Sequence, residues 1–266
     1  MRILMKVNIK NILLLTVIFV FMNILCGCQK TVNIKSVSDL SGMRIGVQAE
    51  TTGEDLLMSH DEIHNAKISS YYNCYSAVAD LMNGELDAVV IDYVPASKLA
   101  AKYSNITIVS DKFPIEEYAI AVKKGNTELL KLINDGIDEI RKNGEYDDLI
   151  ETFMPANGII HLPEKVTFTS NDTLTIGTNA AFSPFEYHDT DGSVVGFDIC
   201  IMQKIALMNN KTLVIVDMPF GSLLNAVQQG TVDCVIAGMS VTEERQKFVD
   251  FSKPYFSSHQ VIIVKK

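Results

Sequence analysis

The chain has 266 residues, a hydrophobic content of 47% and a formal net charge of −9 at pH 7. That length suits one large domain or two small ones, and the hydrophobic content is enough for a sizeable core. The acidic balance argues against nucleic acid as a partner, because phosphate binding needs basic patches.

The first 28 residues have the pattern of a targeting segment. Arg2, Lys6 and Lys10 are basic, and the apolar stretch "ILLLTVIFVFM" at 12–22 is short for a membrane span. The "LCGC" that follows resembles the lipobox of bacterial lipoproteins, in which cleavage before Cys28 leaves that thiol for a lipid. A plain signal peptide or a membrane anchor is the alternative.

Five cysteines are present, and two of them belong to this first segment. Cys74, Cys200 and Cys234 remain, and an odd number indicates no disulfide framework. Cys200 and Cys234 lie in apolar surroundings on a predicted helix and a predicted strand, so both are expected to be small core residues.

The next part of the chain alternates predicted strands with predicted helices. In chain order these segments are "MRIGVQ" (strand), "TTGEDLLMS" (helix), "YSAVADLMNG" (helix), "DAVVID" (strand), "PASKLAAKY" (helix), "NITIVS" (strand) and "EYAIAVKKG" (strand). A long amphipathic helical stretch follows at 126–153. Residues 154–172, with Pro155, Gly158 and Pro163, are a connector.

The pattern then restarts. The segments are "LTIGTN" (strand), "FEYH" and "VVGF" on either side of a "DTDGS" turn, a helix from Asp198, "TLVIVD" (strand), "LLNAVQQG" (helix), "DCVIAG" (strand), "EERQKFV" (helix) and "QVIIVKK" (strand). Strands that alternate with helices predict parallel α/β sheets, and two comparable sets predict two lobes. Ligands of such sheets lie beyond the carboxyl ends of the strands, so two facing lobes make a cleft.

One unit occurs in both halves of the chain. "AVADLMNGELDAVVID" and "LLNAVQQGTVDCVIAG" each consist of an apolar helix, a Gly, two residues, an Asp and a buried strand. The glycines are Gly84 and Gly230, and the aspartates are Asp87 and Asp233. The echo indicates that each lobe contains the same α/β unit.

The motifs resemble those of bacterial extracellular solute-binding proteins, the polar amino-acid type that serves ABC importers. "LTIGTNAAFSPFEYHDTDGSVVGFDI" and "GTVDCVIAGMSVTEERQKFVDFSKPYF" are similar to the first lobe of that family. "VSDLSGMRIGVQAETTGEDLL", "NGELDAVVID" and "YAIAVKKGNTELLKLINDGIDEIRKNGEYDDLIETF" are similar to its second lobe and closing helices. The resemblance covers nearly everything after the signal and implies a type II periplasmic-binding-protein fold, α/β, with a hinge and an interlobe cleft.

The order of the blocks differs from the family, which runs first lobe, second lobe and back to the first. The resemblance therefore implies a circular permutation, with the new termini close together at the first hinge crossing; a truncated tandem copy is the alternative. The implied regions are a signal peptide (1–27), a tether and hinge (28–35), the second lobe (36–115), a return strand with closing helices (116–153), a connector of the old termini (154–172) and the first lobe (173–266).

Two charged residues are the main candidates for binding. With Thr242 as N-cap, Arg245 lies in the first helical turn, where a cation opposes the helix dipole. In the family the Arg of this motif holds the ligand α-carboxylate, which suits a bidentate guanidinium. Asp92 ends a predicted strand, and the matching family position holds the α-ammonium. A solvated surface residue is the alternative for Arg245, and a helix N-cap is the alternative for Asp92.

Further ligand-binding residues come from the same resemblance. Thr51 and Thr52 open a helix, where Thr52 and Asp55 fit a capping box and the free N–H groups can take a carboxylate. Phe182 and Phe220 match aromatic walls, although simple core packing is the alternative, above all for Phe220. Ala237, Gly238 and Ser240 match a loop that offers backbone and hydroxyl groups. Asn179 stands where the family often has Asp or Glu, which weakens the case for a cationic ligand side chain; Glu50 is a candidate to restore that charge.

The resemblance implies a lipid-anchored, extracytoplasmic, monomeric binding protein that takes an amino acid by hinge closure and delivers it to an ABC permease. We expect no enzyme activity and no cofactor. We also expect no metal, since His60 and His64, four residues apart, have no third ligand. A dehydratase-like enzyme of the same fold and a binding-defective or sensory lobe pair are the alternatives.

Overall fold

The structure, a computed structural model, describes residues 33–156 and 158–266. The predicted signal segment and Cys28 lie outside the described residues. Residues Ile34–Lys266 form one compact unit. None of the helices in the described part of the chain is both long enough and apolar enough to cross a membrane.

The strands form two five-stranded sheets and one small three-stranded sheet. In chain order they are β1 (Arg44–Gln48), β2 (Lys67–Tyr71), β3 (Ala88–Asp92), β4 (Ile106–Tyr118), β5 (Ala121–Lys123), β6 (Thr173–Thr178), β7 (Ala181–Phe182), β8 (Glu186–His188), β9 (Val194–Val195), β10 (Thr212–Asp217), β11 (Cys234–Val235), β12 (Val249–Phe251) and β13 (Phe256–Lys265).

Helices connect and cover these strands. They are α1 (Thr52–Ser59), α2 (Cys74–Asn83), α3 (Tyr93–Lys102), α4 (Thr127–Lys142), α5 (Glu145–Phe153), α6 (Phe197–Met208), α7 (Leu223–Gln229) and α8 (Glu243–Gln246), with 3-10 turns at Ser38–Leu40 and Phe220–Ser222.

The second lobe is built on the sheet with strand order β2-β1-β3-β13-β4. The pairs β1–β2 and β1–β3 are parallel, as the alternation of strands and helices predicts. Strand β13 is antiparallel to both of its neighbours. All five residues of β3 are buried, which fits a continuous apolar run in the middle of a sheet.

The first lobe is built on the sheet with strand order β10-β6-β11-β5-β12. Strands β10, β6 and β11 are parallel, and β5 is antiparallel to β11 and β12. The small sheet β7-β8-β9 follows β6 and stands next to the cleft. Helix α4 buries Ile133, Ile137 and Ile140, and its Gly136 lets α6 approach so closely that an added Cβ would lie 2.7 Å from Ile205 Cγ1.

The chain crosses between the lobes twice in this unit, from β4 to β5 and from β12 to β13. The two crossings are hydrogen-bonded to each other: Tyr255 N donates to Tyr118 O at 2.8 Å, and Ser252 N donates to Ile120 O at 2.9 Å. Ile120 N donates in turn to Ser252 Oγ at 2.9 Å. Two crossing segments tied together in this way form the hinge of the two lobes.

The lobe boundary at the C-terminal end differs from the sequence-based expectation of a first lobe at 173–266. Strand β13 lies in the second-lobe sheet, where Gln260 pairs with Asp92 and Val264 pairs with Ala88. An apolar β-branched run satisfies either sheet equally well, so the pattern alone did not assign it. Lys265 pairs with Ile106. The chain therefore ends at the side of the sheet where β3 begins, and the expectation of a terminus at the hinge was wrong.

The repeated helix–Gly–x–x–Asp–strand unit has the same structural role in each lobe. Gly84 and Gly230 end α2 and α7 in the left-handed conformation, with φ of 83° and 75°. Asp87 forms two hydrogen bonds with the backbone of Arg44. Asp87 N donates to Arg44 O at 2.8 Å, and Asp87 Oδ2 accepts from Arg44 N at 2.8 Å. Asp233 does the same with Thr175, at 2.8 and 2.7 Å. Each Asp thus pins its own strand to the start of the neighbouring parallel strand.

The permuted lobe order remains a prediction, and reordering the chain tests it. We expect that a variant with Lys266 joined to Ile34 by a flexible Gly/Ser linker, and with new ends opened in the connector 154–172, folds into the same two lobes. The described residues of the connector form neither helix nor strand, so opening it there breaks no backbone ladder. Circular dichroism and thermal unfolding should match those of the parent within a few degrees. A reordered chain that stays unfolded would count against the permutation.

Candidate ligand-binding cleft

A cavity of about 490 Å³, including its part open to solvent, lies between the two lobes. It is found where the carboxyl ends of β1, β3 and β6 meet, as expected for α/β sheets. Eight lining residues come from the second lobe: Gln48, Thr51, Thr52, Cys74, Val90, Ile91, Asp92 and Gln260. Eight come from the first lobe: Asn179, Phe182, Glu186, Phe220, Ala237, Gly238, Ser240 and Arg245. We call this space the cleft.

All ten residues that the sequence analysis selected for ligand binding line the cleft. Their placement agrees with the prediction, and their role in binding stays a prediction. Six lining residues were missed: Gln48, Cys74, Val90, Ile91, Glu186 and Gln260. All six are strand residues or the first residue of a helix, and their residue types alone do not distinguish a core position from a cleft wall.

Arg245 is a buried cation without a carboxylate partner among the described residues. Thr242 is the N-cap of α8 and its side chain accepts a hydrogen bond from Arg245 N, as predicted. The guanidinium donates from Nη1 to Ser240 O at 2.8 Å and from Nη2 to Glu50 O at 3.0 Å. Its Cζ lies 5.4 Å from the centroid of the Phe220 ring. The side chain is only 9% exposed, so the surface alternative is wrong, and burial lowers the pKa of Arg245.

Asp92 lies on the opposite wall, at the carboxyl end of β3. It is the N-cap residue of α3, but its side chain makes no capping hydrogen bond, so helix capping does not explain it. Its Oδ1 accepts a hydrogen bond from Tyr118 Oη. Burial raises the pKa of Asp92, the hydrogen bond from Tyr118 lowers it, and the charge of Glu116 raises it. Together these effects raise the pKa of Asp92 to about 7.

The helix that begins at Thr52 is capped differently from the prediction. Thr51 is the N-cap residue, with no side-chain capping bond, so the capping box of Thr52 and Asp55 is wrong. Thr51 Oγ1 donates to Gln48 O at 2.8 Å, and Thr52 Oγ1 donates to Glu116 Oε2 at 2.8 Å. A local carbonyl therefore engages the Thr51 hydroxyl, and a tertiary carboxylate engages the Thr52 hydroxyl. Ser240 Oγ, from the other lobe, donates to the same carboxylate.

Aromatic rings form part of the first-lobe wall. Phe182 is stacked on Phe185, with ring centroids 5.5 Å apart, and it lies against Gly238. Gly238 has a φ of 53°, and an added Cβ would approach Phe182 Cε1 to 2.7 Å. Only glycine fits there. Gly238 N donates to Asp198 Oδ2 at 2.9 Å, so this N–H is already engaged and does not face a ligand, in contrast to the expectation for this loop.

Two amide side chains meet across the lobes at Asn179. Gln48 Nε2 donates to Asn179 Oδ1 at 3.1 Å, and Asn179 Nδ2 donates to Met218 O at 3.0 Å. Glu50, the candidate for restoring a negative charge, is exposed, lies against Gly221 and is not part of the cleft lining. The polar groups at this place are therefore uncharged.

Two other lining groups are ionisable. The Cys74 thiol is buried, and burial raises its pKa to about 12, which keeps it protonated. Glu186 is 1% exposed and belongs to a buried carboxyl pair with Asp198. Cys200 and Cys234 are buried too. Within the described ranges, no three metal-binding side chains are grouped closely enough to hold an ion.

Comparison with known proteins finds a family match for the C-terminal segment of the chain. Residues 174–266 match the model for bacterial extracellular solute-binding proteins, family 3. The arginine-binding extracellular protein of Bacillus subtilis is 40% identical over 93 residues, which is 35% of this chain and 36% of that protein. The probable histidine-binding protein of Neisseria gonorrhoeae is 38% identical over 91 residues, 34% of either chain. The L-cystine-binding protein of Escherichia coli is 30% identical over 125 residues, 47% of this chain and 46% of that one.

These matches span about a third to a half of the relatives' length. The matched family segment contains all eight first-lobe residues of the cleft, Arg245 among them. The match to the bacterial extracellular solute-binding proteins of family 3 therefore covers residues 174–266, which is less than half of the chain.

Proposed function

We propose that the protein binds a polar amino acid between its two lobes and delivers it to an ABC permease. The observation that carries the proposal is the guanidinium of Arg245, buried with two backbone carbonyls and no carboxylate. A buried charge needs a counterion or a large compensation. The α-carboxylate of an amino acid supplies that counterion in a bidentate geometry that suits a guanidinium.

The rest of the zwitterion has matching groups. The N–H groups of Thr52 and Gly53, at the start of α1, donate no hydrogen bond within the described part of the chain and suit the same carboxylate. Asp92, on the other lobe, suits the α-ammonium. Since the cation and the anion belong to different lobes, a bound zwitterion joins the lobes and stabilises the closed arrangement.

The side-chain end of the cleft favours a polar, uncharged ligand group. Phe182 and Phe220 offer apolar contact, and the paired amides of Gln48 and Asn179 offer both hydrogen-bond donors and acceptors. With Asp92 assigned to the ammonium, a further cationic group would find no ionised carboxylate among the lining residues unless Glu186 were charged. The relatives are named for arginine, histidine and cystine, whose distal groups are a guanidinium, an imidazole that is mostly neutral at pH 7 and a second zwitterionic amino-acid end.

The enzyme alternative has one specific residue behind it. Glu186 lines the cleft and has a raised pKa, which is a property of general acids. The charged group with the largest effect on Glu186 is the Asp198 carboxylate, and Cys74 is protonated. We therefore favour binding without turnover, as the names of the relatives suggest.

A thermal-shift screen over the twenty amino acids, followed by calorimetry, tests the function. A ligand that binds only the folded state raises its stability. Arg245→Ala should then make the binding free energy of the selected ligand less favourable by on the order of 2–5 kcal/mol, because the ligand carboxylate loses its buried partner. This corresponds to roughly 30-fold to several thousand-fold in Kd. Asp92→Ala should cost a similar amount.

Two exposed residues provide matched controls. Lys123→Ala removes a cation and Asp135→Ala removes an anion, both outside the cleft, and each should leave Kd within about twofold. Wild-type affinity in Arg245→Ala would sink the site assignment. Mass spectrometry of the ligand after incubation should find it unchanged; a product would favour the enzyme.

Binding should weaken as the pH falls through about 7, the value to which burial raises the pKa of Asp92. An ammonium needs the ionised carboxylate, so binding below that pH must release a proton. Apparent affinity should fall about tenfold per pH unit below the pKa. Calorimetry between pH 5.5 and 8.5, in buffers of different ionisation enthalpy, measures both the affinity and the number of protons released.

The Asp92→Asn variant is the control for this pH dependence. It should bind the ligand weakly, and its affinity should not fall further at low pH, because an amide does not titrate in this range. A wild-type Kd that is constant over the whole range would contradict the assignment of Asp92 to the ammonium.

We further propose that Cys28 anchors the protein by a lipid on the outer face of a bacterial membrane, where it acts as a monomer beside its permease. The support is the "LCGC" motif after a basic and apolar segment, together with the extracellular family of residues 174–266. Cys28→Ala should move the protein from the membrane fraction to the soluble fraction on ultracentrifugation of lysed cells. A Cys26→Ala control should stay membrane-bound. Retention of Cys28→Ala in the membrane would argue for an uncleaved anchor.

A further inference from the structure

A pair of buried carboxyl groups lies directly beneath the first-lobe wall of the cleft. Glu186 begins β8 and Asp198 lies in the first turn of α6, with Asp198 N donating to Phe185 O at 3.0 Å. The side chains of both residues are almost fully buried, at 1% and 0% exposure. Neither carboxyl forms an ion pair within the described part of the chain. Two like charges side by side in a dry interior repel each other strongly.

The hydrogen-bond pattern of the pair indicates where one proton is needed. Asp198 Oδ2 accepts from Tyr255 Oη at 2.7 Å and from Gly238 N at 2.9 Å. Asp198 Oδ1 and both oxygens of Glu186 have no donor. Two ionised carboxylates have no hydrogen to give one another. A single proton on Glu186 turns it into a donor, and the neighbouring acceptor that lacks a donor is Asp198 Oδ1.

The surroundings favour Glu186 as the holder of that proton. Burial, and then the charge of Asp198, raise the pKa of Glu186 well above its ordinary value. Burial raises the pKa of Asp198 to only about 6, because Tyr255 and Gly238 donate to its ionised form. The other titratable groups near Glu186 are Asp92, Cys74, Tyr75 and Tyr255, and no cation is among them. Tyr118, beside Tyr255, completes the cluster.

We propose that Glu186 is a positioning residue of the cleft, protonated at neutral pH, which donates a hydrogen bond to Asp198 and so fixes the loop of Gly238. This rests on the proposed function in one respect, because the same loop ends at Ser240, whose carbonyl accepts from Arg245 Nη1. The sequence of contacts runs from Glu186 to Asp198, to Gly238, to Ser240 and to the guanidinium. Through these contacts, the neutral acid Glu186 sets the position of the cation that would hold the ligand carboxylate.

A second consequence concerns charge. With its proton, Glu186 adds no negative charge to the cleft, so Asp92 is the one ionised carboxylate among the lining residues that the structure describes. An ionised Glu186 would add a second anion near Asp92 and would attract cationic side chains.

Two variants of similar shape separate the hydrogen bond from packing. Glu186→Gln keeps a donor for Asp198 and should keep Kd within about threefold of wild type. Glu186→Met fills the same space without a donor, leaves Asp198 Oδ1 unpartnered, and should weaken binding about tenfold or more. Glu117→Gln, at an exposed glutamate of β4, is the control for the loss of a carboxylate. Equal affinity of the Gln and Met variants would overturn the positioning role.

Two measurements on the ligand-free protein test the proton itself. In carbon-detected NMR of glutamate-labelled protein, the Glu186 carboxyl should keep the shift of the acid form at pH 7, while exposed glutamates titrate near their ordinary pKa of about 4.3. Assignment comes from the signal that Glu186→Gln removes. Titration of Glu186 below pH 5 would overturn the proposal.

The stability profile gives the second measurement. A protonated Glu186 releases its proton on unfolding above pH ~4.3, so its contribution to stability falls as the pH rises, up to its raised native pKa. Glu186→Gln lacks this slope, and the melting temperature of the variant relative to wild type should increase between pH 5 and 8. A constant difference would contradict the proposal. Failure of wild type to bind any amino acid would instead count against the proposed function and would leave these two readouts intact.

Discussion

The guanidinium of Arg245 is buried between the two lobes, and its burial is the constraint on which the arrangement of the other cleft groups depends. The capping hydroxyl of Thr242 fixes the backbone of the short helix, and two backbone carbonyls, Ser240 O and Glu50 O, orient the side chain. Neutral carbonyls place a cation but do not compensate the loss of its hydration. Under the proposed function, an anionic group of the ligand supplies the counterion that this buried cation lacks.

The fold makes this arrangement possible by bringing strand ends together. In each lobe the Asp of the repeated unit pins two parallel strands at their starts, through Asp87 with Arg44 and Asp233 with Thr175. The same strands then end at a common edge, where polar side chains are free of ladder constraints. The two crossings, bonded to each other near Tyr118 and Tyr255, hold these edges face to face. The ends of one sheet carry Asp92, and the elements of the other carry Arg245.

The sequence predicted the parts of the cleft that depend on local signals. The local signals placed Arg245 in the first turn of a short helix capped by a Thr and Asp92 at the end of a buried strand, and the family resemblance selected both for ligand binding. Glu186 was missed because "FEYH" in a short hairpin strand predicts an ordinary exposed glutamate, and only the tertiary fold buries it beside Asp198. The capping box at Thr52 failed for a related reason, since Glu116, 64 residues away, takes the hydroxyl. Strand β13 was assigned to the wrong lobe because its apolar run fits either sheet.

The balance of charge in the cleft links these observations to ligand choice. One cation and one titratable anion stand on opposite walls, which is the charge pattern of a zwitterion, and the remaining buried acid is a partner of Asp198. The side-chain end is lined by amides that already bond each other across the lobes, Gln48 to Asn179. A polar ligand group that separates the two amides breaks this hydrogen bond. Its binding is favourable only if it forms hydrogen bonds with both amides in exchange. An amide or another group with both a donor and an acceptor does so, whereas an apolar side chain leaves the two amides paired with each other and contributes only its contact with Phe182 and Phe220. Specificity at this position therefore depends on the free-energy cost of separating two buried amides. That cost disfavours every ligand that breaks the hydrogen bond between them without forming new hydrogen bonds to both.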